Sequence, residues 1–281
     1  MSDETTPLQP PPEPASPEAP HTAAPTDPAG PEPAPLPAPR PAEEPPPGSL
    51  QALAGVLFAP SATFARMGGG RWVHLIFPLL LMGLLAALTS LTFMMRVDME
   101  QFVRDQMRHN RFASKMSDAQ MEEAVKNGKE ANPCIRSAIT VPGTAVWLLL
   151  VGLIYWVAFL AMGANLNYLR TMMVVAWAQV PYWINSILAM GIFFLKNPND
   201  LDPMNPVFSN PAAFIERESV SGGLHALLSS FDLFGIWVLI LYILGFSALG
   251  KVSKGKAAAI VIAIFILKVL LKAGFAAVFN V

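Results

Sequence analysis

The sequence predicts an all-α, polytopic integral membrane protein: a five-helix transmembrane bundle behind a disordered, Pro-rich N-terminal tail. Three observations carry that prediction. Five apolar runs (Trp72–Met95, Thr140–Gly163, Thr171–Leu195, Phe231–Gly250 and Ala257–Val281, the last crossing over 257–279) each hold 20 or more residues. A helix rising about 1.5 Å per residue needs roughly 20 to cross a hydrocarbon core of about 30 Å. The first three runs contain no Asp, Glu, Lys or Arg. The whole chain is 53% hydrophobic and 14% charged, against about 25% charged in a soluble domain. Unpaired backbone amides in lipid leave only helices and closed barrels as spanning forms. Barrel strands alternate over about 10 residues, and these runs are longer and uniformly apolar.

Residues 1–48 form a segment apart from the domain at 49–281. They hold most of the prolines and carry eight acidic residues against one basic, Arg40. With almost no aromatic or β-branched side chains, this stretch buries too little surface to offset its ordering entropy, so disorder is expected. It lacks the basic start and apolar stretch of a secretory signal. A solvated spacer is preferred to a docking tail for a polyproline-reading partner.

Leu50–Met67 is expected to be amphipathic and to lie among lipid headgroups, with Leu53, Val56, Leu57 and Phe64 on one face and Arg66 at its basic end. Pro60 interrupts the pattern and starts a second short turn. Gly68–Gly70 then lets the chain enter the bilayer.

Between the first two spans, Arg96–Ile139 carries eight basic and seven acidic residues. Met99, Phe102, Val103 and Met107 recur at helical spacing. A second helix is expected to start at Ser117, where Ser-Asp-Ala-Gln fits a capping box, to bury Met121, Ala124 and Val125, and to end at Gly128. The pair reads as a helical hairpin resting on the membrane surface or on the mouth of the bundle.

Short turns at Ala164–Arg170 and Lys251–Lys256 make spans two and three, and spans four and five, antiparallel neighbours. The connection Lys196–Ser230 carries four prolines and begins irregularly before Leu224, Leu227 and Leu228 lead into span four. Lysines in the last turn place it in the cytoplasm by the positive-inside rule. The N-terminus follows it there, and the Arg96–Ile139 loop lies outside. A bacterial chain of this kind is expected in the cell inner membrane.

Ionisable groups at membrane depth are the candidate functional residues. Lys268 sits near the centre of span five, with Lys272 one turn on along the same face. A mid-membrane lysine costs about 2.5–3.5 kcal/mol, which calls for partners. Asp232, opening span four, is the expected partner of Lys272. Asn185 on span three, with carbonyls freed by Pro181, is the expected partner of Lys268. A sealed structural lysine is preferred to one that binds an anion or relays protons. Tyr155 and Trp156 fall in mid-span and are expected to pack against other helices. One cysteine, Cys134, supports no disulfide framework, and four dispersed histidines give no basis for a metal site. No phosphate loop, nucleophile elbow or zinc-protease motif occurs. Neither catalytic residues nor a cofactor is therefore expected, and no nucleic-acid partner.

From Leu50 onward the chain resembles the Yip1-domain family, in the form widespread among bacterial membrane proteins. The resemblance rests on LLSSFDLFGIWVLILYILGFSALGKVSKGKAAAIV, with its Asp232-Leu233-Phe234 step, Trp237, Gly245 and basic turn. Leu57-Phe58-Ala59-Pro60 with Phe64, then Tyr168 and Arg170 before Gln179-Val180-Pro181, and the Met-Ser-Asp-Ala-Gln-Met-Glu-Glu helix add to it. It implies a five-helix domain with a cytoplasmic N-terminus. Eukaryotic relatives act in vesicle traffic and bind small GTPases of the Rab class. This chain lacks their fuller Asp-Leu-Tyr-Gly-Pro sequence, so GTPase binding is not carried over. The expected function is a non-enzymatic protein that organises partner proteins, a second copy of itself or the bilayer locally. The alternative is a small-solute or ion transporter built on Lys268 and Asn185, and lipid binding or scrambling is a third class.

Overall fold

A computed structural model describes residues 45–108, 116–130, 132–197 and 202–279. Among them every regular element is helical: α1 (Ser49–Phe58), α2 (Pro60–Met67), α3 (Ile76–Arg96), α4 (Met99–Arg108), α5 (Asp118–Glu130), α6 (Pro133–Ala161), α7 (Tyr168–Trp177), α8 (Val180–Leu195), α9 (Gly222–Leu228), α10 (Leu233–Gly250) and α11 (Lys254–Phe279). Five stretches are long and apolar enough to cross a membrane: Trp72–Arg96, Pro133–Ala161, Tyr168–Leu195, Leu233–Gly250 and Lys254–Phe279. They match the five predicted runs.

The crossings alternate in direction. One end of the bundle, here the near end, carries α1 and α2, the turn through Gly163 and the turn through Lys251. The far end carries α4, α5, the 202–232 connection and the end of α11. Aromatic contacts tie helices at both levels. Phe77 of α3 stacks on Trp177 of α7 at 5.8 Å, and Phe93 meets Phe193 of α8 edge-on at 5.9 Å. At the far end the Arg96 Nε donates to the Phe193 carbonyl at 2.8 Å and its Nη2 to that of Lys196 at 3.3 Å. A guanidinium thus satisfies carbonyls that α8 leaves open where it stops.

The spine of the fold is α7. Every residue from Thr171 to Trp177 is buried, and α2, α3, α6 and α10 all pack on it. The third crossing breaks after it, at Ala178–Gln179, because Pro181 at the second position of α8 offers no N–H to the preceding turn. Outward surfaces are apolar instead. Leu149, Leu153, Ile154 and Leu160 on α6, and Ile266, Leu267, Leu270 and Leu271 on α11, stand exposed. Each such side chain left in water would forgo about 1.5–3 kcal/mol. A hydrocarbon surround removes that cost, and the chain is a multi-pass integral membrane protein.

Four expectations need correction. The apolar face of Leu50–Met67 packs on the bundle rather than on lipid. Pro60 does open a second helix, but Val56, Phe64 and Met67 are buried in the bundle core, with the Phe64 ring against Gly245 of α10. An isolated amphipathic pattern cannot distinguish lipid from another helix as the apolar partner. Secondly, α5 runs through Gly128 to Glu130, and Gly128 is where α4 approaches: an added Cβ would stand 2.9 Å from the Val103 methyl. Thirdly, α6 begins seven residues before the predicted start, at Pro133, capped by the Asn132 side chain. Trp156 therefore lies near the helix end and donates its indole N–H to the Leu166 carbonyl at 3.1 Å. Both Tyr155 and Trp156 pack on other helices as expected, Tyr155 on Tyr242 at 4.9 Å and Phe246 at 5.1 Å and Trp156 edge-on to Tyr168 at 5.9 Å. Fourthly, the last residues assigned to the tail are packed: Pro47 is buried, and the Pro45 carbonyl accepts from the Arg66 Nη2 at 3.4 Å. The disorder expected for 1–44 lies outside the described residues.

The capping box forms as read. The Ser117 Oγ accepts from the Gln120 N–H at 3.3 Å, and the Gln120 Oε1 accepts from the Ser117 N–H at 3.0 Å. The α4–α5 hairpin sits at the mouth of the bundle, where Phe102 meets Phe93 at 5.1 Å. Glu100 joins its arms, accepting from Arg104 and Lys129, each at 3.2 Å. Those two cations hold its carboxyl below the usual range.

Candidate site: a polar vestibule at the far end

The four polar residues singled out at membrane depth line one cavity. It encloses about 1040 Å³ at the far end, and its walls include Tyr182, Asn185, Asp232, Lys268 and Lys272. At about 1.5 Å per residue, Lys272 lies about 10 Å inside the end of α11 and Lys268 about 16 Å inside. Asn185 lies about 15 Å inside the end of α8. Lysine and amide therefore meet the vestibule at one depth, near the middle of a hydrocarbon layer of about 30 Å.

Asp232 stands above them, at the start of α10. Its Oδ2 accepts from the Gly235 N–H at 2.8 Å, capping the helix, and its Oδ1 accepts from the Ser209 hydroxyl. The Leu233 N–H also donates to the Ser209 carbonyl at 2.9 Å. One serine therefore clamps the Asp-Leu step from both sides. The backbone reaches it through Phe208 at φ 53, in the left-handed region that non-glycine residues seldom occupy. Ser209 was missed in the sequence, since a lone serine in an aperiodic loop carries no signal of its own.

The other residues of that step do structural work. Phe234 is buried, Trp237 packs on the core, and Leu233 is 64% exposed. Gly245 permits a close approach of three helices, since an added Cβ would stand 2.7 Å from the Val174 methyl and 3.2 Å from the Phe64 ring.

Neither expected lysine pair forms. The Lys272 ammonium donates to the Ser229 Oγ at 2.8 Å rather than to Asp232. Lys268 does not bond Asn185. Its ammonium stands 5.6 Å from the Phe265 ring centroid, and the buried Asn185 Oδ1 has no hydrogen-bond partner. Nor do carbonyls near Pro181 serve Lys268. Gln179 caps the broken helix itself, its Nε2 donating to the Val175 carbonyl at 3.2 Å and to the Tyr242 hydroxyl at 2.7 Å.

The roof is the 202–217 connection. Asp202 accepts from the Met204 and Asn205 N–H groups at 2.9 and 3.3 Å, and Asn210 donates to the Asn205 Oδ1 at 2.9 Å. Beside it, α9 presses on α11: an added Cβ at Gly223 would stand 3.0 Å from that of Ala277. Small residues at such crossings are a common device in membranes. Beneath the vestibule, towards the near end, the interior is filled by Tyr155, Phe159, Tyr242 and Phe246. The chamber is thus a one-ended polar recess.

A family model described as Yip1 domain matches residues 54–276. No curated protein matches the chain, and no solved structure does. The match covers α2 to α10 entirely, the second half of α1 and most of α11, with every residue of the Asp-Leu-Phe step inside it. The chain belongs to the Yip1 domain family.

Proposed function

We propose that this protein is a non-enzymatic membrane organiser that gathers partner proteins, or further copies of itself, at the far end of its bundle. The observation that carries this reading is the shape of that end. A charged helical hairpin and a hydrogen-bonded loop surround a recess that is filled beneath by aromatic side chains. A recess open at one end and packed with aromatic side chains beneath favours a receiving surface. The transport alternative built on Lys268 and Asn185 is accordingly not adopted.

In the same reading the near end faces the cytoplasm, of a bacterial inner membrane in the bacterial form of the family. Arg66, Arg71, Arg170, Lys251, Lys254 and Lys256 gather at the near end, and its described residues include no Asp or Glu. That is the asymmetry of a cytoplasmic face. Photocrosslinking tests the organising role. Benzoylphenylalanine placed at Lys126 on α5, in native membranes, is expected to capture a discrete partner or a second copy. Capture of lipid alone from positions around the hairpin would overturn it.

A further inference from the structure

We propose that the vestibule is a binding site for the phosphate of a membrane lipid headgroup, held by Lys268 and Lys272. The two ammonium groups lie one turn apart on one face of α11, and both open into the cavity. Among the described residues neither lysine forms an ion pair: Lys272 has a serine hydroxyl and Lys268 an aromatic ring. The carboxylate above them, Asp232, is held by Ser209 and the Gly235 N–H. Two cations facing one engaged anion at membrane depth are short of negative charge. A phosphate supplies it, with oxygens enough for both ammonium groups.

Size and access argue that the phosphate comes on a lipid. A chamber of about 1040 Å³ is as large as the biggest ordinary ligand pockets, at about 1,000 Å³, and far exceeds a free ion. Among the described residues of the outer wall Asp98, Asp202 and Glu216 outnumber Arg217, so an anion arriving from water meets like charge. From the bilayer there is another route. Phe275 lines the cavity and is also 59% exposed on the outer face of α11, beside exposed Leu271 and Val278. The recess therefore borders an apolar flank of α11 that continues inward through exposed Leu271 and Leu267, along which acyl chains can lie. This inference needs only the membrane placement of the bundle and holds whether or not the organising role does.

The test uses the full chain in a neutral detergent, with binding followed by calorimetry. The probes are dihexanoyl phosphatidylglycerol, dihexanoylglycerol (the same chains without phosphate) and inorganic phosphate. Saturable binding of the first is expected, at least tenfold tighter than either control. K268Q/K272Q should weaken it at least tenfold, while K268R/K272R retains it. Equal affinity for dihexanoylglycerol, or an undiminished affinity in a folded K268Q/K272Q protein, would overturn the site. Inorganic phosphate binding as tightly as the lipid would overturn the lipid source. Should the glutamine variant fail to fold, the comparison of the three probes on the unaltered chain decides alone.

Discussion

Gln179 shows how much one side chain carries where a helix breaks inside lipid. Its amide serves the Tyr242 hydroxyl and the Val175 carbonyl, both in the interior. Gln179→Leu leaves the two without a donor, and a buried polar group left unpaired costs about 1–3 kcal/mol. The melting temperature in detergent should fall accordingly, and Tyr242→Phe should cost less because the Val175 bond remains. His225, on the vestibule wall, has its pKa lowered, first by burial and then by Arg217 and Lys272, against an opposing pull from Asp202. A histidine that charges less readily when folded contributes stability that is complete above about pH 6.5. That contribution is lost as pH falls from there through its lower folded value. His225→Gln should flatten this limb in melting curves taken between pH 7.5 and 5. At this scale the sequence reveals which residues share the site but not whom they bond. Helical arithmetic puts Lys268 and Asn185 at one depth, with Lys272 and then Asp232 nearer the far end. Their partners depend on Ser209, in a loop without periodicity, and on Ser229, which caps α9.

Helix existence follows directly from long apolar runs; helix contact does not. Gly245 and Gly274 look alike in sequence, and packing separates them. Gly245→Val would drive a side chain into Val174 and Phe64, where overpacking costs about 1–3 kcal/mol. Gly274 has no atom near an added Cβ, so Gly274→Ala should leave the melting temperature unchanged or slightly raised. A melting temperature unmoved by Gly245→Val would refute the packing of α2 and α7 on α10. The same ambiguity explains α1 and α2, whose apolar face reads equally well against lipid or protein. It also explains Gly128, which resembles a stop signal until Val103 of α4 is seen against it. Where the signal is local chemistry, as in the Ser117–Gln120 box or Pro60 at the head of α2, sequence and structure agree to the residue.

At the scale of the molecule, an odd number of crossings is the claim on which the vestibule, the basic near end and the family placement all rest. The chain carries its own reporter: Cys134 is its sole cysteine and is exposed at the far-end start of α6. Ser253 lies in the near-end turn between α10 and α11, three crossings away. The decisive measurement is labelling by a membrane-impermeant maleimide in sealed cells, comparing the unaltered chain with C134S/S253C before and after permeabilisation. Cys134 should label at once, and Ser253→Cys only after permeabilisation. Both positions reacting from one side of the sealed membrane would contradict the five-crossing bundle.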